Sequence, residues 1–250
     1  MIDTHSHINM LKNPDLSIQE SIENGVSHIV VPAASEDNFD DVINLCNSYE
    51  AIYGALGVHP EDVLKYNENT GKKIYNLTKE NKKIIGIGEI GLDYYWDKTN
   101  IERQKEIFKS QIEIAKSLNL PILVHDREAH QDTFEIIKTS GIKKVLLHCF
   151  SGGVEFAKKC VNEGWLLGIG GVLTFKNSKK IKEVVKEIPL EYIVLETDAP
   201  YMTPHPFRGE ENSPKYLKFV AHEIANIKDT SFEHVDKVTS QNAKEFFNLN

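Results

Sequence analysis

Short runs of Val, Ile and Leu recur along the chain, separated by longer stretches whose apolar residues fall at helical intervals. The runs lie at residues 1–5, 28–31, 52–57, 84–89, 121–125, 145–148, 166–169 and 193–196. Such runs, apolar throughout rather than alternating, predict parallel strands buried on both faces. Residues 35–49 carry Phe39, Val42, Ile43 and Cys46 on one helical face. Residues 100–118 carry Ile101, Phe108, Ile112, Ala115 and Leu118, a stripe interrupted only by Gln104. Gly25, Gly141 and Gly164 follow helical stretches as stop signals. Further helices start near Ser178 and Ser213, the latter with Pro214 just inside. The last helices, residues 214–226 and 232–247, are expected to pack outside the sheet.

Eight strands, each followed by a helix, predict an α/β fold, and 250 residues suit one (β/α)8 TIM-like barrel in a single domain, residues 1–250. A doubly wound open sheet is the alternative; no glycine fingerprint for a dinucleotide follows the first strand, which weakens it. Apolar content of 40% and charged content of 26% are those of an ordinary globular protein. No apolar run approaches the roughly 18 residues of a membrane-spanning helix, and the start lacks the basic and apolar regions of a signal peptide. Cys46, Cys149 and Cys160 are scattered, which suits reduced thiols, so a cytoplasmic protein is expected. A net charge of −8 argues against a broad basic face for nucleic acid, though not against nucleic acid gripped locally.

In a barrel of this kind the reactive groups stand at the C-terminal ends of the strands. Those positions hold His5 and His7 after the first strand, His59 after the third, Glu89 at the fourth, His125 at the fifth, His148 at the sixth, and Glu196 and Asp198 at the eighth. Each alone reads as a structural histidine, a cap or an ion-pair partner. His5, His7, His125, His148, Glu89 and Asp198 together, at the mouths of five apolar strands, point to metal ligation, because polar groups buried without partners are costly. Mixed imidazole and carboxylate ligation suits Zn, Mn, Fe or Ni and, with water, Mg. Six ligands exceed one tetrahedral ion, and two divalent ions sharing a carboxylate fit best. With Glu89 and Asp198 they leave a net positive pocket that draws a phosphate into an acidic protein.

Several motifs resemble the TatD-like metal-dependent hydrolases, a DNase-type branch of the amidohydrolase superfamily. They run from Asp3-Thr4-His5-Ser6-His7 through Gly57-Val58-His59-Pro60, Gly88-Glu89-Ile90-Gly91-Leu92-Asp93-Tyr94 and Val124-His125-Asp126-Arg127. They continue in His148-Cys149-Phe150-Ser151-Gly152, Glu196-Thr197-Asp198-Ala199-Pro200 and Pro206-Phe207-Arg208-Gly209, and end at Asn242-Ala243-Lys244-Glu245. The resemblance implies a TIM-like barrel holding one to three divalent metals. It assigns His5, His7 and Asp198 to one metal, His125 and His148 to the other, and Glu89 as the bridge. It also implies Mg-dependent 3′–5′ exodeoxyribonuclease activity, with action on D-aminoacyl-tRNA among some members.

The expected reaction is phosphodiester hydrolysis by metal-activated water, with Asp198 taking a proton from the water and His59 serving the phosphate or the leaving oxygen. Two divalent ions are expected, Mg or Mn for activity, with Zn or Ni also able to bind. Two of the three arginines, Arg127 and Arg208, fall in loops on the same face, where a guanidinium fork suits phosphate. The competing assignment for Arg127 is an ion pair with Glu196 or Asp126. Asp93 and Tyr94 are placed along the substrate groove, Glu196 behind a histidine ligand, and Trp96 and Phe175 as stacking or packing aromatics. Cys149 is expected to turn into packing. The expected partner is DNA or another phosphodiester, without membrane, on a monomer. The alternatives are an ester or amide hydrolase, such as a D-aminoacyl-tRNA deacylase, and a metal-binding scaffold without turnover.

Overall fold

Branched apolar residues set the strands, as in Ile29-Val30-Val31 and Ile193-Val194-Leu195, all of them buried. The computed structural model describes residues 1–96 and 98–249. In chain order the elements are β1 (Ile2–Asp3), α1 (Pro14–Glu23), β2 (His28–Pro32), α2 (Phe39–Ser48), β3 (Ile52–Leu56), α3 (Glu68–Glu80), β4 (Ile84–Asp93) and α4 (Ile101–Leu118). There follow β5 (Ile122–Arg127), α5 (His130–Ser140), β6 (Val145–Leu147), α6 (Val154–Asn162), β7 (Leu166–Ile169), α7 (Lys179–Glu187), β8 (Ile193–Leu195), α8 (Leu217–Lys228) and α9 (Phe232–Phe247). The sheet follows chain order, β1 to β8.

The chain forms two compact units. The first comprises Met1–Val31, His148–Asn162 and Leu166–Asn250. In it β1 lies parallel to β2, with Ile2 opposite His28, and β7 parallel to β8, with Gly168 opposite Val194. The Thr4 amide donates to Leu195 O at 3.0 Å, which sets β1 beside β8. The second unit comprises Pro32–Leu147 with Glu163–Trp165, and pairs β3, β4, β5 and β6 in parallel.

Two strands run past their predicted ends. The pairing of Gly91 with His125 and of Asp93 with Arg127 carries β4 and β5 onward, so Asp93 is a strand residue. Residues 35–38 are not α-helical: the Ser35 hydroxyl donates to Asn38 Oδ1 instead of capping, a 3-10 turn spans Glu36–Asn38, and α2 starts at Phe39. A helix is expected after the third strand but without bounds, because the buried face of α3 is Thr70, Ile74 and Thr78 and carries almost no apolar signal. Gly25, Gly141 and Gly164 stop α1, α5 and α6 at φ of 86°, 74° and 83°.

Candidate metal centre

In the first unit one buried carboxylate organises the site. Asp3 Oδ1 accepts the backbone N–H groups of His5 (3.3 Å) and Thr197 (3.0 Å), and Oδ2 accepts the Thr197 hydroxyl (2.6 Å). The loops after β1 and β8 are tied further by the Asp198 amide donating to His5 O (2.9 Å) and the His7 amide donating to Ala199 O (2.8 Å). Burial pushes the Asp3 carboxyl up to about 7, against the opposing pull of the Thr197 hydrogen bonds. Asp198 adopts φ of 55°, a left-handed conformation that a non-glycine residue holds only when its surroundings enforce it.

The side chains so placed converge. His5 Nε2 lies 3.3 Å from His7 Nε2, and Asp198 Oδ1 lies 3.7 Å from His7 Nε2 and 4.0 Å from His5 Nε2. The His5 and His148 rings stack with centroids 3.7 Å apart, and donor atoms of His5, His148 and Asp198 lie within 4.8 Å of one another. Two stacked imidazolium ions would repel, which favours neutral rings, the ligating form. Donors bonded to one ion at about 2.0–2.2 Å stand roughly 3.0–3.6 Å apart, so the His5–His7 spacing fits a shared divalent cation.

Behind His148 lies Glu196, wholly buried, whose Oε1 accepts the Cys149 amide at 2.5 Å and stands 3.8 Å from His148 Nδ1. Burial pushes its carboxyl up to about 8, opposed by His148. Cys149, at φ 44°, is half-buried, and its amide holds Glu196.

The second unit has a set of its own, His59, Glu89 and His125, with donor atoms within 4.8 Å of one another. His125 Nε2 faces Asp93 Oδ2 at 2.9 Å, and its Nδ1 faces Glu89 Oε1 at 3.0 Å. Once Nε2–H donates to Asp93, a neutral ring presents a lone pair at Nδ1 toward a carboxylate. That contact is repulsive unless a proton or a cation lies between, so this set also fits a metal. Burial pulls the Asp93 carboxyl up, but the hydrogen bonds from His125, Trp96 and Tyr95 outweigh it and hold it at about 2. His59 differs. Its Nδ1 accepts the Glu61 amide at 3.2 Å, so a neutral ring carries its proton on Nε2, 3.6 Å from Glu89 Oε1. His59 is thereby a donor toward the site.

The residues expected along a substrate groove have the following partners. Asp93 is 1% exposed and holds His125, a correction that follows from the added length of β4. The Tyr94 hydroxyl donates to Asp132 Oδ2 at 2.7 Å. Arg127 pairs with neither Glu196 nor Asp126 and lies over the Tyr95 ring at 4.0 Å. Arg208 lies over Phe175 at 3.7 Å. His130 pairs with Asp126 (2.7 Å), and His222 stacks on Phe232.

A model of the family described as "TatD related DNase" matches residues 2–248. The chain belongs to this family. It is 42% identical to an uncharacterized metal-dependent hydrolase of Bacillus subtilis, YabD, and the match covers all of both chains. A Methanocaldococcus jannaschii relative, also an uncharacterized metal-dependent hydrolase, is 38% identical over 98% of this chain and 96% of its own. Among solved structures, a TatD homologue of Escherichia coli, YjjV, matches with a TM-score of 0.96 and 29% identity over 100% of this chain and 98% of that one. The fold of this TatD-family protein is thus the (β/α)8 barrel, and the protein is a metal-dependent hydrolase. Among the described residues no helix is long and apolar enough to cross a membrane.

Four positioning residues of this TatD-family hydrolase escape the sequence reading. Asp3 was passed over as part of a histidine motif. Gln104 and Gln111, both 1% exposed on α4, clamp backbone by both amide atoms. Gln111 accepts Val58 N–H at 2.8 Å and donates to Val58 O at 3.1 Å, next to His59; Gln104 does the same at Asp93, at 2.8 and 2.9 Å. The polar interruption in the α4 stripe was the available signal. Gly168 is the fourth: a Cβ there would stand 2.1 Å from Glu196 Oε2. Gly168→Ala is expected to cost about 1–3 kcal/mol by overpacking, lowering the melting temperature by about 2–10 °C, and to weaken metal retention through Glu196 and His148. Thermal unfolding with and without added metal reads both effects.

Proposed function

We propose that this protein hydrolyses the phosphodiester bonds of DNA in the 3′–5′ exonuclease manner, with two divalent ions, Mg or Mn in turnover. His5, His7, His148 and Asp198 in one unit and Glu89 and His125 in the other would hold them. Bound metal supplies Lewis acidity toward the phosphoryl oxygens and a more acidic attacking water. Asp198 is the base that takes the water's proton. Asp93 and Glu196 keep the ligand histidines oriented from behind.

The observation that carries the proposal is His59. The Glu61 amide fixes its tautomer, so the Nε2 proton is presented beside Glu89. An alkoxide leaving from a phosphodiester is strongly basic, and the Nε2–H of the neutral ring would act as a hydrogen-bonding acid that stabilises its charge in the transition state. Arg208, held over Phe175, presents a guanidinium suited to a phosphate.

The experiment compares two diesters. His59→Ala is expected to lower kcat on single-stranded DNA by about 10²-fold. On bis(p-nitrophenyl) phosphate, whose phenolate leaves without a proton, the loss should be under about fivefold. Equal loss on both substrates contradicts the acid role of His59. An absence of hydrolysis of either diester by the metal-loaded wild type contradicts the nuclease reading and turns attention to carboxylic esters.

A further inference from the structure

We propose that Tyr95, Trp96 and Arg127 form a handle for single-stranded DNA, Trp96 stacking a base and Arg127 neutralising a neighbouring phosphate. The proposal rests on the nuclease reading and adds where the strand is gripped. Trp96 is 65% exposed and Tyr95 48%, consecutive in sequence, with their rings edge to face at 4.9 Å. Large aromatics are seldom left this open, and here two adjoin. They do not sit on a slack loop. Asp93 Oδ1 accepts the backbone N–H of Tyr95 at 2.8 Å and of Trp96 at 3.0 Å, while its Oδ2 meets His125 Nε2. One carboxylate therefore fixes both the aromatic turn and a candidate metal ligand.

Charge points the same way. The Arg127 guanidinium lies 4.0 Å from the Tyr95 ring centre and 5.3 Å from that of Trp96. Among the described residues it makes no salt bridge. Glu61 feels its charge without pairing with it, and the neighbouring Asp126 and Glu128 pair with His130 (2.7 Å) and Lys98 (3.8 Å). A cation held flat against rings and outside any salt bridge among the described residues suits an anion that carries a planar group of its own. Single-stranded nucleic acid alternates these two features, and every base offers a π-face whatever the sequence. This is how an acidic protein can hold DNA without a basic surface.

The chain has two tryptophans, and Trp165 is 2% exposed, so emission quenchable by a ligand reports Trp96. The probe is a phosphorothioate dT12, which resists cleavage, titrated into the metal-loaded full-length protein. Saturable quenching is expected, and an abasic strand of equal length and charge should leave the emission unchanged. Trp96→Ala should raise Kd for labelled dT12 about tenfold and raise KM with kcat unchanged. Arg127→Gln should reduce the slope of log affinity against log salt by about one. Absence of quenching, or equal quenching by the abasic strand, overturns the proposal. DNA hydrolysis without quenching overturns it while the nuclease reading stands, and quenching without hydrolysis upholds it while that reading falls.

Discussion

Asp198→Asn is expected to lower kcat at least about 10³-fold while the melting temperature of the metal-loaded protein moves by only a few degrees. The residue's two roles explain the size. Its carboxylate stands beside His5, His7 and His148, and in the proposed reaction it is the base for the attacking water. Asparagine keeps the shape and one oxygen donor but cannot take a proton, and general-base catalysis alone is worth about 10²–10⁴-fold. The backbone at Asp198 is held by the amide bond to His5 O, which the substitution leaves in place, so the fold should persist. Steady-state kinetics with a matched metal determination checks this. Activity within tenfold of wild type, at equal metal content, would remove Asp198 from the chemistry.

Metal removal is the second large effect. A chelated protein is expected to lose all detectable hydrolysis and to regain it on titration with Mg or Mn. Its melting temperature should fall by about 5–10 °C, since a ligand present at a hundredfold over its Kd stabilises by about 2.7 kcal/mol. The loss follows from what the donors do without an ion. His5 and His7 face each other nitrogen to nitrogen, and His125 Nδ1 faces the Glu89 carboxylate, arrangements that then depend on protonation. Differential scanning fluorimetry across the titration reads the effect. An unchanged melting temperature would mean that the donors are satisfied without metal.

Much of this arrangement is legible in the sequence, because strand periodicity locates the strand ends and the ends carry the donors. His5, His7, His148 and Asp198 stand where apolar runs give way to polar residues, whereas Glu89 and His125 lie inside the longer β4 and β5. What escaped depends on partners that no local pattern shows. Asp93 reads as a groove residue because its carboxylate follows a predicted strand end; only the extended β4–β5 pairing buries it against His125. Asp3 looks like a motif residue, yet its role depends on Thr197, 194 residues away. Gln104 and Gln111 read as flaws in an apolar stripe, although both the oxygen and the nitrogen of each buried amide are hydrogen-bonded to backbone there. The bounds of α3 are not legible because threonines take core positions that pattern reading reserves for apolar residues.

In the proposed reaction a donor set that includes Asp198 powers phosphodiester hydrolysis in this TatD-family chain. The most direct measurement is nucleotide release from 3′-labelled single-stranded DNA by the metal-loaded wild type, run beside Asp198→Asn at equal metal content. Release by the wild type with Mg or Mn is expected, and none above background by the variant. Equal release by both proteins, or none by the wild type with either metal, would contradict the proposed reaction.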